Sequence, residues 1–565
     1  MLLPPVIERE LRTASRRATT YWTRLGACLA AILPFAPFLL MLAIGARFGT
    51  PVLSPQHLGP IFFGICTFIA GLTAILAGWF FASDAISYER REGTLELLFL
   101  APLGPVEIVL GKLVSVSWRG AQWLLAVVPL FAFPILLGGV RGSDLATLAL
   151  LAGNTLLWSM ASSLWASSRR RGLFESLVLA AVTQGALTGL PFLVDLALAG
   201  FDPSLYVSRL GLSSPLYGWT HGFSRRTTLF WISLGIVHLQ AWAFLALTVR
   251  AAAREIRQNP SARGPGLFER FNNAWKYGRP RTRVALRRRL LDTRPIRWLV
   301  ERERGPVRFL IALPLILVVS VTAIALVLGE SGALFALGSV ATLILSGAIA
   351  ILLALQASRF LAEARRTGAL ELMLVSPLSS KTILVDQCAS MFRTFAFPVG
   401  LLLACEIGIA LAQRTMLGSV AAPPPGAPPA AVSFAAMASF QWLGTAVSAA
   451  VALSGYVALA WVGFWMGLVC RQVSIALFAT LAIAKLVPMV LVSSAQSMTL
   501  GLLLGGRIPP WMPFVVSGMT GILLNLGLVL VARHQLLPDL RRILDSPMLV
   551  LWPKHSVRPP PSLKP

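Results

Sequence analysis

The sequence predicts an all-α polytopic membrane protein whose 12 transmembrane helices form two tandem six-helix repeats. Three observations carry that prediction. Of the 565 residues, 56% are hydrophobic and only 13% charged, with a mean hydropathy of +0.75; a soluble domain cannot hide so much apolar surface. The formal net charge of +26 is unevenly placed. Most Lys and Arg fall in one alternating set of loops and tails, the positive-inside pattern. Finally, the stretch 83–103, between two apolar runs, has a second copy at 358–378. Without gaps, Ser83, Arg90, Arg91, Gly93, Leu95, Glu96, Leu97, Pro102 and Leu103 meet Ser358, Arg365, Arg366, Gly368, Leu370, Glu371, Leu372, Pro377 and Leu378.

The same observations set aside other classes. Basic residues without an interleaved aromatic pattern argue against nucleic acid as a partner and for membrane lipids. Cys28, Cys66, Cys388, Cys405 and Cys470 lie in or beside apolar runs, without a CxxC pair, and read as small apolar residues. The charged lead before the first apolar run is too long for an ordinary signal peptide, so the first span reads as a retained anchor.

Spans of about 20 apolar residues are expected at 25–45, 59–82, 110–138, 144–167, 173–198 and 228–249. The second half repeats them at 309–329, 333–356, 382–412, 435–468, 473–496 and 511–532. Residues 1–24 mix charges with Tyr21 and Trp22 and suit an interfacial helix. Gly64, Gly71 and Gly78 share one face of the second span and predict close helix contact. The aromatic stretch 199–226 predicts a re-entrant or interfacial hairpin. The expected domains are a first half at 1–250, a basic linker at 251–299 that hugs anionic lipid, a second half at 300–540 and a polar Pro-rich tail at 541–565. The Pro-rich loop 421–430 has no counterpart in the first half. An even number of spans puts both termini on the basic, cytoplasmic side of the inner membrane.

No reaction centre is visible in the chain, so no enzyme activity of its own is expected. The nearest approach to a P-loop, Gly104–Leu113, has too many residues between its glycines and Leu after Lys112. Asp195, Glu406 and Lys485 fall within or near spans, where a charge costs about 2.5–3.5 kcal/mol. Glu406 and Lys485 lie at similar depth and form a candidate intramembrane polar site. A structural ion pair is the simpler reading, and a substrate path or proton relay the functional one. Arg119 and Arg393 are expected to reach headgroups or a neighbouring polar segment.

Within 83–103, Glu89, Glu92 and Glu96 predict three carboxylates within about 60° of arc on one helix face. Gly93 would admit another backbone and Pro102 would stop the helix. Such a face suits docking of a partner.

Glu89, Gly93, Thr94, Leu95, Glu96, Leu97, Leu98, Pro102, Gly111 and Lys112 together resemble the ABC-2 type transporter permeases, the membrane subunits of ABC exporters. Residues 5–12 are similar to that family's amino-terminal interfacial helix. The resemblance implies the ABC-2 type fold, with 83–103 and 358–378 as coupling segments that contact ABC ATPase subunits. It assigns docking to Glu89, Glu92, Gly93, Thr94, Glu96, Pro102, Gly368, Glu371 and Pro377. It implies no directly bound cofactor, ATP and Mg being held by the ATPases, and no need for a homodimer because both halves are fused. The second copy departs from the pattern: Glu89, Glu92, Thr94 and Lys112 become Ala364, Thr367, Ala369 and Gln387. Unequal coupling of the halves is the expectation. An ion- or proton-coupled secondary transporter of two parallel halves, or a non-transporting scaffold, stays open beside it, and the cargo is not specified.

Overall fold

The computed structural model describes residues 55–95, 104–138, 140–170, 172–201, 210–223, 228–257, 280–291, 293–301, 331–376, 380–417, 439–470, 473–504 and 507–536, with isolated positions elsewhere. Among them every regular element is helical, and nine helices are long and apolar enough to cross a membrane. The chain is a multi-pass membrane protein. Most of the interfacial helix at 1–24 and of the expected spans at 25–45 and 309–329 lies outside the described residues, as do the loop 421–430 and the tail 541–565. Contacts cluster into two compact units, Met1–Ile32 with Leu53–Arg263, and Leu33–Val52 with Gly264–Pro565.

The first unit contains α1 (Pro55–Ala82), α2 (Ala85–Glu92), α3 (Pro105–Val127), α4 (Ala132–Leu137), α5 (Gly142–Arg169), α6 (Leu173–Phe201), α7 (Pro215–His221) and α8 (Thr228–Arg257). Helix α5 is its centre and packs on α1, α3, α6 and α8. The reason is on its surface. Thr155, Ser159, Ser162, Ser163 and Ser167 are small and buried, so neighbouring helices approach closely and find hydrogen-bond partners. The Gln184 amide of α6 donates to the Ser159 carbonyl and to the hydroxyls of Ser162 and Ser163 at 3.0–3.1 Å. Of Gly64, Gly71 and Gly78, only Gly78 meets backbone: a Cβ there would strike Ser159. A Cβ on Gly71 would stand 3.3 Å from the Trp219 ring, and one on Gly64 would meet open space.

The aromatic stretch after α6 folds back as a 3-10 turn, Gly211–Ser213, followed by α7. Asp195 holds it, accepting from the amides of Leu210 (3.3 Å) and Gly211 (2.6 Å). Ser214 caps α7 through the Leu216 amide and donates to the Thr188 carbonyl at 2.7 Å. Trp219 donates to Thr155 at 3.0 Å. Asp195 thus serves the backbone of this hairpin, since amides inside a membrane protein need internal acceptors.

The second unit contains α9 (Pro280–Leu290), α10 (Pro295–Glu301), α11 (Ser331–Arg366), α12 (Ala369–Val375), α13 (Ser380–Leu417), α14 (Gln441–Val469), α15 (Val473–Leu481), a π-helical turn (Ala482–Leu486), α16 (Val487–Leu504) and α17 (Met512–Leu536). Here α14 is central, packed on α11, α13, α15 and α17. Helices α9 and α10 arise within the stretch expected as linker, each opening on a proline that suits a first helical turn. Helix α10 packs along α13. Arg294 lies 4.0 Å from Asp386, and Arg393 reaches Glu301 at 3.5 Å. Arg393 therefore binds a neighbouring polar segment, one of its two expected roles. Arg119 instead stacks over the Phe81 ring at 4.4 Å.

The glycine geometry gives a sharp contrast. Gly78→Val is expected to destabilise the protein by about 1–3 kcal/mol through overpacking, while Gly64→Val leaves it unchanged. Thermal unfolding of the two purified variants in detergent measures the difference.

Candidate functional site: the two connectors

Each unit turns at one end of its helices through a short connector that carries the duplicated motif. In the first unit, Ser83 and Asp84 break the helix, and α2 then runs to Glu92. Its first amides lack acceptors within α2. Ser167 of α5 supplies one, accepting from the Ile86 and Ser87 amides at 3.0 and 2.9 Å. Asp84 accepts from Ser87 at 2.6 Å and pairs with Arg91 at 2.8 Å. Arg90 donates to the Ser168 carbonyl at 3.1 Å, one residue before α5 ends.

The helix stops at Gly93, whose φ of +71° is left-handed and costs an L side chain more than glycine. Its amide returns to the Glu89 carbonyl, and Thr94 donates to the same carbonyl at 3.3 Å. Nothing lies within 4 Å of where a Gly93 Cβ would stand. The expected close approach of another backbone is therefore corrected: this glycine is required for its torsion.

That torsion also bears on the acidic stripe: α2 ends at Glu92, so the helix that carries Glu89 and Glu92 does not run on through Gly93. Glu89 is buried and forms an ion pair with Lys112 of α3. Its second oxygen, Oε2, is buried without a hydrogen bond. Glu92 and Thr94 are exposed, and so is Tyr88. Glu96 and Pro102 fall outside the described residues.

The second connector repeats much of this construction. Ser358 is fully buried and donates to the Ala354 carbonyl four residues back at 2.8 Å, as Ser83 does to Trp79. Arg365 donates to the Leu468 carbonyl, again one residue before a long helix ends. Gly368 has φ +74° with open space around it, and Leu370, like Leu95, is buried. What differs is the ion pair. Ala364 and Gln387 occupy the motif positions of Glu89 and Lys112; both are buried, and neither polar atom of the Gln387 amide has a hydrogen-bond partner. On α12, Glu371 is exposed, with Leu372 and Val375 75% and 86% exposed beside it. Pro377 is outside the described residues.

Away from the connectors, no ion pair within 4.0 Å joins Glu406 of α13 to Lys485 of the π-helical turn. Lys485 sits over the Tyr456 ring, 5.9 Å from its centroid, and the Tyr456 hydroxyl lies 3.2 Å from Ser346. The simple ion-pair reading is thus not met, and the observed contacts link three residues, Lys485, Tyr456 and Ser346. Tyr456 and Ser346 were not singled out from sequence, because a lone Tyr or Ser in an apolar run carries no periodic signal. Ser167 and Ser168 were missed for the same reason. The Glu89–Lys112 pair did leave a trace, since both partners change together in the second copy.

No family model matches the chain, and no curated protein matches it.

The buried pair yields a test. Lys112→Met strands the Glu89 charge and is expected to cost about 3–5 kcal/mol. The double change Glu89→Ala with Lys112→Gln installs the second connector's own residues and should recover most of that loss. Chemical or thermal denaturation of the purified variants reads both values.

Proposed function

We propose that this chain is the permease of an ATP-binding-cassette exporter, two ABC-2 type halves fused in tandem, driven by separate ATPase subunits that dock on the two connectors. In this reading the basic ends of the helices face the cytoplasm, 12 spans bring both termini there, and the protein resides in the inner membrane. ATP and Mg belong to the partners.

The observation that carries the proposal is the shared construction of the connectors. Each is tethered by an arginine to the carbonyl one residue before the end of a long helix, and each carries a left-handed glycine. The arginine sits on the short helix α2 in the first unit and in the last turn of α11 in the second; a connector anchored so moves with the spans behind it, which is what transmission of an ATPase movement requires. Among the described residues the docking face consists of Tyr88, Glu92 and Thr94 in the first unit, and of Glu371, Leu372 and Val375 in the second. Glu89 acts behind that face by fixing α2 to α3.

A second reading, an ion-coupled secondary transporter, draws on the intramembrane charges Glu406 and Lys485. Transport in ATPase-free vesicles that collapses with a protonophore would favour it.

The expected outcome for the leading proposal is copurification of the chain with an ATPase from its native membrane. Glu92→Lys should weaken that association at least tenfold, and adding Glu371→Lys should abolish it with the fold intact by size-exclusion chromatography. Retention of both ATPase and ATP-dependent transport in the double variant would remove the docking assignment.

A further inference from the structure

Behind the first connector lies a small cavity with one unanswered atom in its wall. Helix α2 rests on α3 and α5, and α8 packs on both of those helices. Between the four lies a space of about 20 Å³, bordered by Glu89 and Arg90 of α2, Val109 and Lys112 of α3, Ser168 of α5 and Ala252 of α8. Glu89 and Lys112 are only 9% and 7% exposed, and they are joined through Glu89 Oε1. Glu89 Oε2 is buried and receives no hydrogen bond from the protein. A carboxylate has several lone pairs to satisfy after one donor has been met. Leaving an oxygen unmatched in a wall closed to bulk water is costly.

The chemistry of the wall selects what fits. A metal cation would stand beside the Lys112 ammonium and the Arg90 guanidinium. A halide would stand beside the carboxylate with no hydrogen to give it. An apolar group would leave Oε2 as it is. A water has a hydrogen for Oε2, and about 10–15 Å³ is room enough for one. It needs further polar partners, about two to four in all. The Ser168 hydroxyl donates to the Trp165 carbonyl at 2.7 Å, which leaves its oxygen able to accept. Lys112 and Arg90 are donors on the same wall.

We propose that this cavity is the binding site of a single ordered water, which donates to Glu89 Oε2 and to the Ser168 hydroxyl and accepts from the cations beside them. The water completes the solvation of the buried ion pair and joins α2, α3 and α5 at one point. It is a fixed part of the first connector, as costly to remove as a direct hydrogen bond to a charged group. The second connector has no such requirement. Ala364 stands there at the motif position of Glu89, so no carboxylate needs the donor.

The test uses the full chain in detergent without an ATPase, so its outcome is separate from that of the exporter proposal. An experimental map that shows ordered solvent should contain one peak within about 3 Å of Glu89 Oε2, and such a map with no peak there overturns the proposal. Thermal unfolding gives the energetic reading. Val109→Ile adds one methylene to the wall and keeps the residue β-branched. It should displace the water and lower the wild-type midpoint by about 2 °C or more. In the variant Glu89→Met with Lys112→Met, which keeps the volume and removes both charges, the same methylene should leave the midpoint level or raise it. The same response in both backgrounds, whether loss or gain, overturns the water. Replacing chloride by gluconate should not move the wild-type midpoint; a fall that added chloride reverses saturably would make the occupant an anion and overturn the proposal equally. If the Met pair does not fold, the map decides alone.

Discussion

An arginine side chain that donates to a carbonyl at the end of a long helix is the interaction on which both connectors depend. The last carbonyls of a helix have no amide within it, and they carry the negative end of the helix dipole. Where such an end is buried, water cannot satisfy them. Arg90 and Arg365 do so with charge-assisted hydrogen bonds, and each thereby fixes one connector against α5 or α14. The remaining features follow from that attachment. A helix whose arginine is committed inward must reverse soon after, and Gly93 and Gly368 provide the reversal at little conformational cost. Ser83 and Ser358, buried just ahead of the connector, spend their hydroxyls on their own helix and make no demand on a neighbour.

The two connectors differ where electrostatics allows no halfway state. A buried carboxylate beside a buried ammonium is tolerable, and either one alone is not. The second unit has neither, holding Ala364 and Gln387 in their places. The Gln387 amide without partners costs less than an ionised group would there. Losing both charges together keeps the fold and removes the cross-link between connector and following helix. The first connector is therefore tied at four points, through Ser167, Ser168, Lys112 and its internal Asp84–Arg91 pair. In the second, Arg365 makes the bond that corresponds to Arg90's.

Much of this architecture was legible in the sequence because hydrocarbon imposes a simple rule, a run of about 20 apolar residues per crossing. Helices α5 and α17 begin and end within two to four residues of the expected spans 144–167 and 511–532. The duplicated motif was legible as a frame, and the identities at Ser83, Arg90, Gly93 and Leu95 each have a structural cause. What misled was the assumption that a helix continues. One left-handed torsion at Gly93 ends α2, so angular positions computed past it lose meaning, and Glu89 turns toward Lys112. The partners of a connector come from helices far along the chain. Ser167 and Ser168 carry no local mark of that role, since a serine in an apolar helix reads only as packing. The helices α9 and α10 were hidden by charge density, which reads as linker unless Pro280 and Pro295 are taken as helix starts.

Polar groups inside the spans divide by their hydrogen bonds. In the first unit, Gln184 engages the serines of α5, and Asn154, His238 and Trp242 form a short chain, Asn154 to His238 at 3.0 Å and Trp242 to His238 at 3.0 Å. These groups are uncharged or mutually satisfied, and in hydrocarbon that makes them adhesive between helices. Asp195 is charged, but backbone amides answer it. Lys485 and Glu406 meet neither condition, for each is ionisable and neither has a hydrogen-bond partner among the described residues. Evolution can lose such a residue at no cost to packing, by a single change to an apolar one. Lys485 instead rests over the Tyr456 ring in a π-helical turn that Pro488 follows, so a π face rather than an acceptor answers its charge.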